Sequence, residues 1–317
     1  MAIPAVDNSK MATYLVSFQS DGWQLNGCVH LPQCETRERI GVIILAEVTK
    51  FGTHGLHRKI AEGFAASGFY ALRFDNRGTF DSPGICDLAF DDRVADAIAA
   101  VEFFRTECKL DKVFLWGICL GSALAVHAAA RLSGPAKPAG LILCTLLANP
   151  AYASLPEFKY RPLTFSAYLR NGLTGSPWNR LRAFVTDEVY RANLLESIAG
   201  MARSYYSRGN GRLQNMQTQI GRVGPLLAQY EGPSLLIHAD TDAYWLSFKK
   251  DINPGDHLKL SRKKLPPRIE VLPGADRMYR SVQDRAEVIR LSVSWAVALR
   301  DGQHRAPDPD EIYAVFQ

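Results

Sequence analysis

The chain has 317 residues, 47% of them hydrophobic and 22% charged, with a net charge of +5. This is the balance of a folded globular protein of one large or two ordinary domains. It excludes a disordered chain, a collagen-like repeat and a small disulfide-stapled scaffold, and no apolar run approaches the ~18 residues of a membrane span. The opening residues, MAIPAVDNSKM, lack a basic segment followed by an apolar stretch, so no secretory signal is expected. The six cysteines show neither CxxC nor Cys/His ligand spacing. The sequence therefore predicts free thiols, no metal, and a cytoplasmic protein without membrane association.

Taken in order, Tyr14 to Leu31 alternates polar and apolar residues around Asp21-Gly22, the pattern of an antiparallel hairpin. Gly41 to Ala46 (GVIILA) is an apolar run expected of a strand covered on both faces. An amphipathic helix follows over about His57 to Ser67, then a strand over Phe69 to Phe74 (FYALRF) and a turn-rich stretch, DNRGTFDSPG. Apolar residues at Val94, Ala97, Ile98, Val101 and Phe104 carry helical spacing within Asp91 to Glu107. Val113 to Trp116 (VFLW) is another buried strand, leading through a glycine-flanked turn into an Ala-rich helix, and Gly140 to Cys144 (GLILC) is the next. Strands resume at Ser234 to Ala239 (SLLIHA) and Arg268 to Leu272 (RIEVL), with a last helix over Val282 to Arg300. Such alternation predicts an α/β fold with a mostly parallel central sheet flanked by helices.

Residues 150–232 break that rhythm. They hold nine Arg and one Lys against five acids, which leaves the rest of the chain neutral. We expect 1–149 to form the first half of the core, 150–232 a basic helical lid inserted between two strands, and 233–317 the remainder of the core and a tail. The segment carries neither an aromatic-basic RNA motif nor a helix-turn-helix pattern, so nucleic acid is not expected as a partner. There is likewise no H-E-x-x-H, Walker loop or G-x-G-x-x-G, and no cofactor is predicted.

The chemistry is concentrated in Gly117-Ile118-Cys119-Leu120-Gly121, which follows a buried strand and opens a helix. This is the G-x-nucleophile-x-G elbow in its strand-turn-helix setting. A cysteine at its centre lies near the positive end of a helix, where the reactive thiolate is favoured. The stretch VFLWGICLGSALAVHAAA resembles the α/β-hydrolase superfamily, most closely its dienelactone hydrolase branch, and the resemblance extends over roughly residues 12 to 300. DNRGTFDS is similar to the DxRGxGxS turn of the superfamily, with Phe80 in place of the second glycine.

The resemblance implies an acid after a late strand and a histidine after the last one. Asp242 takes the acid position, with Asp240 as an alternative. At the histidine position, in Pro273-Gly274-Ala275-Asp276-Arg277, stands Arg277. An arginine stays protonated and cannot act as a general base. Glu47 is the first candidate to take the thiol proton, since Ala46-Glu47-Val48 resembles the Gln-Glu-Ile stretch of dienelactone hydrolases. His54 or His57 is the second and His257 the third, while His127 and His238 read as packed histidines. The backbone N–H groups of Leu120 and the Glu47–Val48 region are expected to form the oxyanion hole, and His54, Phe80 and Trp245 are the candidate substrate-binding residues.

Loss of the histidine spares acylation of a thiol more than release of the acyl group to water. The sequence thus predicts acyl transfer from an ester, lactone or thioester, carried on coenzyme A or an acyl carrier protein, by an acyltransferase, cyclase or slow thioesterase. A binding protein that has lost turnover, or cofactor-free chemistry in the same pocket, are the alternatives.

Overall fold

A computed structural model describes residues 12–34, 36–46, 55–79, 81–83, 89–150, 211–242, 245–246, 265–303 and 307. The expected hairpin is formed by β1 (Thr13–Ser20) and β2 (Trp23–His30), paired antiparallel from Thr13↔His30 to Ser20↔Trp23. Its turn places Asp21 at φ 47° and Gly22 at φ 81°, both left-handed, which matches the twist of the flanking strands. Next come β3 (Ile40–Leu45), α1 (Gly55–Ala66), β4 (Tyr70–Phe74), α2 (Phe90–Cys108), β5 (Lys112–Ile118), α3 (Leu120–Arg131) and β6 (Gly140–Cys144). Helices α4 (Gly211–Gly221) and α5 (Val223–Gln229) precede β7 (Ser234–Ala239), β8 (Arg268–Leu272) and α6 (Val282–Arg300).

The sheet has eight strands in the order β1-β2-β4-β3-β5-β6-β7-β8. β2 joins β4 antiparallel, and every pair from β4 through β8 is parallel. All residues of β3, β4, β6 and β7 are buried, which is why these strands read as unbroken apolar runs rather than as alternation. Helices α1 and α6 pack together on one face, where the Trp116 indole of β5 donates to Ser292 Oγ of α6 at 3.1 Å. Helices α2 and α3 pack on the other, with α5 against α3. Met216, Ile220, Val223 and Leu227, from α4 and α5, are buried in the same hydrophobic core as the strands. The greater part of the expected lid, 151–210, lies outside the described residues.

One buried ion pair ties the turn after β4 to its surroundings. Asp96 of α2, wholly buried, accepts Arg77 Nε at 2.8 Å, the Arg77 backbone N–H at 3.0 Å and Ser20 Oγ at 2.7 Å. Arg77 also reaches Asp21 in the hairpin turn at 3.0 Å. The DNRG segment is therefore a structural rivet between hairpin, strand and helix. No helix among the described residues is long and apolar enough to cross a membrane.

Candidate active site

The elbow is built from the expected residues. β5 ends at Ile118, Cys119 adopts φ 55° and ψ −119°, and α3 starts at Leu120. Positive φ at a non-glycine residue is costly and clusters at functional sites. The flanking glycines are required by space: a Cβ on Gly117 would strike the backbone of Gly121, and one on Gly121 would strike the Leu45 carbonyl at the end of β3. The turn is thereby wedged against the end of β3. Cys119 is 5% exposed. Its N–H donates to Cys144 O at 3.0 Å, and its carbonyl accepts from the Ser122 N–H at 3.1 Å and from the Ser122 hydroxyl. Leu120, at the head of α3, is buried, and the first amides of a helix have no partner within it.

The carboxyl ends of β6, β7 and β8 bring three loops to the same edge. After β6, Thr145 stands at φ 49°, its N–H donating to Ile237 O at 2.8 Å. After β7, the two candidate acids divide: Asp240 Oδ1 accepts the Gly274 N–H at 2.9 Å, whereas Asp242 is buried, its N–H donating to Ala239 O at 3.2 Å. Asp240 thus serves the neighbouring loop. After β8, Arg277 is half-buried and its carbonyl accepts Thr145 Oγ1 at 3.0 Å. Two residues on, Tyr279 is fully buried at φ 49° and donates its hydroxyl proton to Ile237 O at 2.9 Å. Burial lifts the Tyr279 phenol well above its ordinary range.

Of the candidate histidines, His57 is described: it belongs to α1, is 1% exposed and lies edge-on to the Trp116 ring with centroids 6.0 Å apart. His238, wholly buried in β7, stacks on Trp245 at 4.6 Å, and burial pushes its pKa down to about 3. Trp245 is itself buried, with its ring against His238. His127 packs edge-on against Phe90 at 4.8 Å, with Nε2 2.8 Å from Gln219 O. Glu47, Val48, His54, Phe80 and His257 lie outside the described residues. Sequence reasoning passed over Ser122, Thr145 and Tyr279. Only Tyr279, two residues beyond the arginine in an otherwise familiar loop, offered any signal.

With the geometry in place, comparison with known proteins is direct. A family model of serine aminopeptidase, S33, matches residues 51–245. No match is found among the curated proteins. Among solved structures, the chain is similar to Est1E from Butyrivibrio proteoclasticus with ferulic acid bound, at a TM-score of 0.61 and 16% identity over 90% of this chain and 99% of that one. It is also similar to dienelactone hydrolase from Anabaena variabilis (TM-score 0.56, 14% identity, 90% and 97% covered). A third is an α/β serine hydrolase without a lid from Xanthomonas campestris (TM-score 0.54, 14% identity, 93% and 96% covered). These likenesses establish the fold, and the family model spans more than half of the sequence. The chain belongs to the serine aminopeptidase S33 family of α/β hydrolases.

Proposed function

We propose that the protein is an acyl-transferring or hydrolytic enzyme in which Cys119, rather than a serine, is the nucleophile. The observation that carries this reading is the cysteine itself, held at φ 55° between β5 and α3. The Cys119 thiolate attacks the carbonyl carbon of an ester, lactone or thioester. An S–C bond forms and the carbonyl electrons move onto oxygen. Backbone N–H groups, Leu120 among them, stabilise that oxyanion. Collapse of the intermediate expels the alcohol or thiol, which leaves with the proton of the original thiol. Asp242 and Arg277 supply the charged surroundings, and Glu47 is the first candidate to receive the thiol proton.

Arg277 cannot accept a proton, so water is poorly activated in the second half-reaction. This favours transfer to a better acceptor, or slow hydrolysis, over rapid ester cleavage. A donor thioester carried on coenzyme A or an acyl carrier protein fits the basic composition of 150–232. Turnover of an aryl acetate and an acyl thioester tests the reading. Cys119→Ala is expected to lower kcat/KM by at least about 100-fold. Undiminished turnover in that variant overturns the nucleophile assignment.

A further inference from the structure

The loops after β6, β7 and β8 are laced together more tightly than a surface edge requires. Asp240 takes the Gly274 N–H, and the Asp240 N–H donates to Leu272 O at 3.2 Å. Thr241 Oγ1 donates to Ala275 O at 3.0 Å, and Thr145 Oγ1 to Arg277 O at 3.0 Å. Two of the residues involved, Thr145 and Tyr279, hold a left-handed backbone that neither a β-branched nor a bulky aromatic residue adopts without strain.

The hydroxyl protons can be assigned. Ile237 O receives both the Thr145 N–H and the Tyr279 O–H. The Thr145 hydroxyl, 3.2 Å from the phenol oxygen, spends its own proton on the Arg277 carbonyl. The result is a closed ring through Thr145, Arg277, Tyr279 and Ile237, with Thr145 and Tyr279 both at 0% exposure. On its other side Thr145 follows Cys144, whose carbonyl holds the Cys119 N–H. The elbow and the arginine loop are thus separated by two hydrogen bonds and one peptide unit. Valine and phenylalanine would fill the same space without needing these bonds. The hydroxyls and the strain are accounted for by the part of the loop they hold, the peptide of Arg277.

We infer that Thr145 and Tyr279 are positioning residues that fix Arg277 beside Cys119, so that its charge acts on the thiolate and on anions arriving there. The inference rests on Cys119 being the reacting thiol, but its test does not require turnover. Iodoacetate and iodoacetamide alkylate the same thiolate, one as an anion and the other neutral. The ratio of their rates therefore reads the local charge while accessibility and thiolate fraction cancel. The ratio is followed at Cys119 by peptide mass spectrometry, with a free, uncharged small thiol such as mercaptoethanol as reference.

In the native protein the ratio at Cys119 is expected to exceed that of the free thiol by about threefold or more. Arg277→Gln should bring it down to the free-thiol value. Thr145→Val and Tyr279→Phe should each lower it by about twofold or more, with the iodoacetamide rate little changed. Thr145→Ser, which restores the hydroxyl, should recover it. Tyr279→Phe removes one oxygen only, and keeps the test open if Thr145→Val fails to fold. A native ratio equal to that of the free thiol, or Thr145→Val and Tyr279→Phe ratios equal to the native one, overturns the inference. A Cys119→Ala protein that still turns over esters overturns the proposed function while leaving the ratio readable.

Discussion

Cys119 occupies a backbone conformation that costs on the order of 1–3 kcal/mol for a residue with a side chain, and the surrounding contacts over-determine it. The Cys144 carbonyl, the Ser122 hydroxyl and the two close-packed glycines leave the turn no other path. The buried histidines follow a different logic. His30 Nε2 accepts Arg73 Nε at 2.9 Å, so the imidazole is neutral with its proton on Nδ1, 3.2 Å from Thr13 Oγ1. Burial, and then the Arg73 charge, push its pKa down to about 4, and burial alone takes His238 to about 3. Both folded values lie below the unfolded one, so the unfolded chain binds these protons first. Stability is then full above pH ~6.5 and falls as the pH drops toward 4. The expected slope near pH 5 is about 1.4 kcal/mol per pH unit for each histidine. Urea unfolding at pH 7, 6 and 5 measures it, and His30→Gln should lower the slope near pH 5 by about 1 kcal/mol per pH unit. A stability that stays level between pH 7 and 5 contradicts this assignment.

At the scale of elements, the Asp21-Gly22 turn, the apolar strands and the elbow were legible because each is a local pattern: a turn type, burial on both faces, or glycine spacing. Asp96 was not. An aspartate on a helix reads as solvent-facing, and its partners Ser20 and Arg77 lie 76 and 19 residues away. Removing one member of such a pair leaves a buried charge unmatched, so Arg77→Met is expected to cost about 3–5 kcal/mol in urea unfolding. A loss below about 1 kcal/mol would deny the pair its structural role. That the helices α4 and α5 would join the core was equally hidden. Gln and Gly are prominent in them, and Met216, Ile220, Val223 and Leu227 mark the side buried in the core. Thr145 carries no sequence signal at all, since nothing about a threonine after a strand announces a left-handed backbone.

For the molecule as a whole, the parallel sheet accounts for the site. Strands β5 to β8 run in one direction, so their carboxyl ends deliver Cys119, Thr145, Asp242 and Arg277 to a single edge, the usual place for ligands in such sheets. The topology shared with other α/β hydrolases ensures the meeting. The residues at two of those positions, a cysteine in the elbow and an arginine in the last loop, are the ones on which the proposed chemistry rests. The central claim is that Cys119 forms a covalent acyl intermediate whose release to water is slow. The most direct measurement is the intact mass of the native protein and of Cys119→Ala after exposure to a small acyl thioester. The account predicts a gain of one acyl group on the native protein alone, persisting after the thioester is removed and discharged by an added nucleophilic acceptor. Consumption of the thioester at the same rate by both proteins, with no adduct on either, would contradict it.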